Sequence, residues 1–204
     1  MSAPTDTRER ILATARNLIY ARSYTDVGVA EICERAGVFK GSFYHFFPSK
    51  RDLTLAVLDF ILAETKERLL DRAFDPGIPP LDRLDRLAEL AYGIQKEWAA
   101  PGGRVLGCPV GNLATELATQ DEAIRAATAR AFARLQRLLR QTLEEAVDSG
   151  ALPAVDLDAT AQAMVAYFEG VLMLAKTEND LKVIRRLLPA LRHIRVPIKQ
   201  SRKK

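Results

Sequence analysis

The sequence predicts an all-α protein of about nine helices. Apolar residues recur at helical spacing through nearly the whole chain, and no run alternates apolar and polar residues with a period of two. Capping residues, Gly and Pro fall at the ends of the periodic runs, where helices start and stop. The 204 residues suffice for one domain or two small ones.

Ile11, Leu12, Ala15, Leu18 and Ile19 share one helical face. Ser23 to Val27 breaks the pattern, and a short helix over Val29 to Arg35 follows. Gly37, after Ala36, supplies the left-handed residue that ends it. Another short helix spans Phe39 to Phe46. Ser49 with Asp52 three positions on predicts a capping box, which opens a helix through Leu53, Val57, Phe60 and Ile61 to about Arg72. Asp75-Pro76-Gly77 and Pro79-Pro80 end it. Leu84, Leu87, Ala88, Ala91, Ile94 and Trp98 mark the next helix, broken at Pro101-Gly102-Gly103, and Val110 to Ala118 forms a short one. Thr119 with Glu122 predicts a second capping box. The long helix after it carries Ile124, Ala127, Ala131, Leu135, Leu138, Thr142 and Val147 on one side and stops at Gly150. Asp156 to Lys176 is apolar on more than one face. Asn179 or Asp180 caps a last helix to about Arg195, which Pro189 kinks or deprives of a hydrogen bond.

Composition excludes several classes. With 48% apolar and 27% charged residues, the chain is globular rather than disordered. The uncharged run Val105 to Thr115 has 11 residues and contains Gly and Pro. A membrane helix needs ~20 apolar residues, so no membrane partner is expected. A polar start predicts no secretory leader, and two cysteines 75 positions apart make no disulfide framework, so a cytoplasmic protein is expected. The net charge of +4 conceals +2 over residues 1–55, −7 over 56–181 and +9 over 182–204. That asymmetry suits a nucleic-acid partner. Two histidines, no Gly-x-Ser-x-Gly, no His-Glu-x-x-His and no cysteine pair at metal spacing argue against an enzyme and predict no metal or cofactor. Gly102 and Gly107 have the spacing of a phosphate loop, but Cys108-Pro109 follows where Lys-Ser/Thr is required.

Three short N-terminal helices with a tight Gly turn between the second and third spell a helix-turn-helix. The second helix must end sharply so that the third can enter a major groove, and Gly37 allows this. Gly41 and Ser42 are small where backbone meets DNA. Lys40, Ser42, Tyr44 and His45 supply donors, and Ser49-Lys50 at a helix start offers N–H groups and a cation to a phosphate.

The segment Ala36-Gly37-Val38-Phe39-Lys40-Gly41-Ser42-Phe43-Tyr44-His45-Phe46-Phe47-Pro48-Ser49-Lys50-Arg51-Asp52-Leu53 resembles the signature of the tetracycline-repressor (TetR) family of transcriptional regulators. The likeness extends back through Arg8-Glu9-Arg10-Ile11-Leu12 and Tyr24 and covers roughly the first 55 residues. It implies a helix-turn-helix domain over 1–52, a helical ligand-binding and dimerisation domain over 53–198, and a basic tail over 199–204. Tyr44, His45 and Lys50 would contact phosphates, Lys40 and Ser42 would lie near base edges, and Gly41 would allow close approach. Phe43 and Phe46 would pack behind the helix. Gly28 and Val29 would face DNA at the start of the second helix. Two departures bear on the operator: Val27-Gly28 replaces a capping hydroxyl, and the large Phe39 replaces a common serine, where it would either touch a thymine methyl or simply stand exposed.

The resemblance also implies an effector pocket in the C-terminal helices, with Tyr92, Trp98, Cys108, Asn112, Phe132, Tyr167, Phe168 and Met173 as candidates. Such a lining suits a small, largely apolar effector. Cys108, just before a helix start, is a candidate sensor thiol, with an inert buried cysteine the favoured alternative, and Cys33 reads as core. Pairing of the last two helices would make a homodimer, whose two recognition helices read a palindromic operator in double-stranded DNA. The function implied is a ligand-released dimeric repressor. The alternative is a DNA-binding structural protein, or an activator, with no small-molecule effector.

Overall fold

The computed structural model describes residues 6–99 and 103–198. The basic tail 199–204 and the Pro101-Gly102 break lie outside the described residues. Within them all regular structure is helical, apart from an isolated bridge residue at Arg104. The order is α1 (Thr7–Ala21), α2 (Val29–Ala36), α3 (Lys40–Phe46), α4 (Lys50–Thr65), a π turn (Lys66–Leu70), α5 (Asp71–Ala73), α6 (Pro80–Glu97), α7 (Pro109–Leu117), α8 (Glu122–Asp148), α9 (Leu157–Glu178), α10 (Lys182–Leu187) and a 3₁₀ segment (Leu188–His193). The π turn joins α4 to α5 without a break, which makes nine helices of the ten segments. The chain divides into two compact units: Met1–Ala63 with Pro109–Thr128, and Glu64–Cys108 with Ala129–Lys204.

In the first unit, Asp6 caps α1 by accepting from the Arg8 N–H at 3.3 Å. The face expected from the sequence is buried: Ile11 and Ala15 are fully enclosed, with Leu12, Leu18 and Ile19 beside them. Gly37 takes φ 64° and ψ 42°. Its N–H donates to the Glu34 carbonyl at 3.1 Å while Val38 N–H donates to that of Cys33 at 3.0 Å. These two bonds stop α2 abruptly. At Ser49 only half of the capping box forms. The hydroxyl accepts from Asp52 N–H at 3.1 Å but donates to the Asp52 carboxylate at 2.7 Å. Aspartate is one methylene shorter than the glutamate that normally reaches back to the cap. The second predicted box is replaced altogether. α8 starts at Glu122, so Asp121 is its cap, accepting from Ala123 and Ile124 N–H at 2.9 and 3.1 Å.

The second unit buries Leu84, Leu87, Ala91, Leu139, Leu143, Met164, Phe168, Leu172, Ile184 and Leu188 in one apolar core. Asp156 caps α9, accepting from Ala159 N–H at 3.0 Å, and Asn179 ends it at φ 52°. Gly150, at φ 75°, follows the end of α8. The last helix is shorter than expected. α10 stops at Leu187 and the chain tightens into the 3₁₀ segment, because Pro189 has no N–H to continue the α ladder.

Candidate nucleic-acid interface

α3 is held from behind by aromatic packing. Phe43 is fully buried, with its ring 6.1 Å from that of Phe47 and 5.1 Å, edge-on, from that of Tyr44. Phe47, 3% exposed, ends the helix. The outer surface is left to Phe39, Lys40, Gly41, Tyr44 and His45, all exposed, with Ser42 half-buried. A Cβ added at Gly28 or Gly41 would meet nothing within 4 Å, so both backbones are open to close approach. Gly28 caps α2 through its backbone alone, with Val29 half-buried at the first helical position. Cys33 is core, and burial pushes its thiol up, against a smaller opposing effect of Lys40.

Lys50 is placed otherwise than a freely offered phosphate ligand. Its ammonium donates to the Tyr24 carbonyl and sits 4.1 Å from the centre of the Tyr24 ring. Burial pushes it below the usual lysine range, with Glu116 opposing.

The same α1–α2 turn carries contacts that local sequence reasoning missed. Glu116 of α7 accepts from the backbone N–H groups of Tyr24 at 3.0 Å and Thr25 at 2.8 Å. Burial alone would raise its carboxyl. Hydrogen bonds from Thr25 and Tyr24, helped by the charge of Lys50, bring it below the usual carboxylate range. Arg51 pairs with Asp121 at 2.6 Å. Two acids from the 109–128 segment thus hold the turn before α2 and the start of α4.

The eight effector candidates differ in burial and in the unit they belong to. Tyr92, Trp98 and Cys108 are half-buried against the second unit's core, and Phe168 belongs to that core. Phe132 is half-buried on α8. The Tyr167 hydroxyl is committed to the Leu187 carbonyl at 2.7 Å. Met173 is 62% exposed and faces outward from α9, and Asn112 lies on α7 in the other unit.

Two further polar groups lie in the second unit. Gln95 is 5% exposed; its Nε2 donates to the Gly107 carbonyl at 2.9 Å and its Oε1 has no partner. Glu169 carries a carboxyl pushed up by burial and held back by a hydrogen bond with Cys108. Both were visible as polar residues on apolar stripes: Gln95 continues Leu87 and Ala91, and Glu169 lies between Phe168 and Leu172.

Comparisons with known proteins agree with this arrangement. Residues 11–57 match the model described as bacterial regulatory proteins, tetR family. Residues 80–191 match the tetracyclin repressor-like C-terminal domain. The chain is 39% identical over 159 residues to the transcriptional regulator AcuR of Cereibacter sphaeroides, covering 77% of this chain and 70% of that one. It is 29% identical over 191 residues to the transcriptional repressor NemR of Escherichia coli, covering 93% and 94%. Among solved structures, a regulatory protein TetR from Rhodobacter sphaeroides has a TM-score of 0.79 at 33% identity, covering 92% of this chain and 98% of that one. A supported recognition helix, at residues where the family model matches, makes the assignment: the chain belongs to the TetR family of DNA-binding transcriptional regulators.

Proposed function

We propose that the protein is a homodimeric cytoplasmic repressor that binds a palindromic operator and is released by a small, largely apolar effector. The observation that carries the reading is α3, with Phe43 and Phe47 buried behind it and Phe39, Lys40, Gly41, Tyr44 and His45 presented outward. One seven-residue helix reads too few bases for specificity. Two, held about one helical turn (~34 Å) apart by a dimer, read a palindrome. Exposed Met173 and Leu174 on α9 are apolar surface that a partner copy would cover. We assign the head to residues 1–52, with Gly28, Val29, Phe39, Lys40, Gly41, Ser42, Tyr44 and His45 at the DNA and Lys50 reaching a phosphate only by leaving the Tyr24 carbonyl, and the regulatory domain to 53–198. No described helix is long and apolar enough to cross a membrane.

The effector would bind in the second unit, near Gln95, Cys108 and Glu169. A buried amide oxygen without a partner is costly in an apolar core, and a ligand N–H or O–H would relieve it. To release DNA the effector must prefer the DNA-incompetent state, since equal affinity for both would shift nothing.

The test is selection of the full-length protein on random duplex DNA at two salt concentrations. The expected result is one palindrome, bound with an affinity that falls steeply as salt rises. Weak, sequence-blind binding would overturn the reading in favour of a structural DNA binder.

A further inference from the structure

We propose that Phe39 reads the 5-methyl group of one thymine in each operator half-site, so that operator choice at this position rests on an apolar contact. This rests on the operator-binding reading above.

Spacing alone would bury Phe39. It stands four residues before Phe43, which is fully enclosed, and a continuous helix would set both on one face. The chain avoids that by making Phe39 the cap. Its backbone is extended, at φ −79° and ψ 152°, and its carbonyl accepts the first bond of α3 from Phe43 N–H at 3.2 Å. The ring is thereby turned outward and is 87% exposed, the most exposed large apolar side chain among the described residues. It takes no part in the ring contacts that join Phe43, Tyr44 and Phe47. Beside it the surface is low: Gly41 carries no side chain, a Cβ there would meet nothing within 4 Å, and Ser42 is half-buried.

The chemistry of that floor selects the partner. Base edges in the major groove present hydrogen-bond donors and acceptors, which a phenyl ring cannot satisfy, and one apolar group, the thymine methyl. Covering N7, O6 or N4 with the ring would strip a polar atom of water without replacing the bond. The ring therefore favours thymine and penalises the other bases. Lys40, the next residue, supplies a cation for an adjacent phosphate or guanine edge.

The experiment uses the full-length protein and the operator recovered by selection. Each thymine is replaced singly by uracil, which removes only the methyl group. At one thymine per half-site, uracil weakens binding about fourfold, the ~0.8 kcal/mol of one buried methyl, and replacement in both half-sites weakens it roughly fifteenfold. In Phe39→Ala that sensitivity disappears at this position and persists at any other sensitive thymine. Because the ring is 87% exposed, the variant keeps its melting temperature, which is measured alongside. Phe39→Leu, still apolar, keeps part of the sensitivity. A recovered operator whose uracil profile is the same in Phe39→Ala and the parent overturns the proposal alone, as does an operator with no methyl-sensitive thymine. Recovery of no preferred sequence overturns the operator-binding reading itself.

Discussion

Glu116→Ala removes the contact that fastens α7 to the turn before α2. The carboxylate accepts two backbone N–H groups, from Tyr24 and Thr25, across a separation of 92 and 91 residues. Hydrogen bonds to a charged group contribute about 1.5–3 kcal/mol each when buried. Thr25 is exposed, so its amide regains water in the variant, while that of half-buried Tyr24 regains less. The expected loss is therefore about 2–3 kcal/mol, nearer one full bond than two. At roughly 2–4 °C per kcal/mol for a chain of this size, the melting temperature falls by about 5–10 °C. Glu116→Gln, which keeps a neutral acceptor, loses less. The folded-state carboxyl titrates below its usual range. Its stabilisation is complete above the unfolded pKa of about 4.3 and is lost as pH falls through the depressed folded value. The difference between parent and Glu116→Ala must then shrink in acid. Urea unfolding at pH 7 and pH 3, with amide exchange at Tyr24 and Thr25, measures both effects. A loss under about 0.5 kcal/mol with unchanged protection of those two amides would refute the reasoning.

Three further outcomes follow from single residues. Gly37→Ala places a side chain at φ 64° where space is free, its nearest neighbour being Arg10 Nη1 at 4.0 Å, so the cost is conformational, about 1–2 kcal/mol in urea unfolding, and Gly37→Asn costs less. Glu169 has a raised folded-state pKa from burial, so its ionisation opposes folding above that value and not below the unfolded one. Glu169→Gln should accordingly gain stability relative to the parent at pH 8 and much less at pH 5, compared by urea midpoints. Arg83 is 6% exposed and donates to the carbonyls of Ile78 at 2.8 Å and Pro76 at 3.2 Å while pairing with Glu145 at 2.8 Å. Arg83→Ala should cost about 3 kcal/mol by calorimetry, and Glu145→Ala less than half as much, because the two carbonyls still hold the guanidinium.

The recognition helix is legible because its signals are local. Gly37 ends α2, Phe43 anchors α3 and Gly41 keeps its surface low, all within seven residues, but the second anchor is Phe47, one position beyond the expected Phe46, which stays half-buried. What is not legible is set by partners far along the chain. Lys50 reads as a free cation until Tyr24 is found beneath it, and Glu116 reads as a solvated charge on a short helix until two distant amides are found on its carboxylate. Thr119 and Asp121 are both acceptable caps, and the choice turned on where the α8 ladder begins. The effector candidates are less legible, since aromatic, sulfur and amide side chains at helical spacing serve a core as readily as a pocket. Met173 faces out, Tyr167 is tied to Leu187, and the unpartnered atom belongs to an amide.

Asn179 shows how two jobs in one residue can be separated. It ends α9 in the left-handed region, at φ 52°, the one described non-glycine residue there. Its Oδ1 accepts from Val105 N–H at 3.0 Å, which ties the segment before α7 to the end of α9. Val105 is 4% exposed, so loss of that acceptor strands a buried donor, at about 1–3 kcal/mol. Asn179→Gly keeps the backbone conformation and gives up the acceptor. Asn179→Ala gives up the acceptor and adds about 1–2 kcal/mol for a side chain at positive φ. Glycine also frees the unfolded chain, a cost of about 0.5–1 kcal/mol that narrows the gap between the variants without closing it. Stability by urea unfolding should thus rank Asn above Gly above Ala, and exchange of the Val105 amide should quicken equally in both variants. If Gly matches the parent, the Val105 bond contributes nothing. If Ala matches Gly, the strain at position 179 has been relieved by a shift of the helix end, and the cap is softer than its geometry implies.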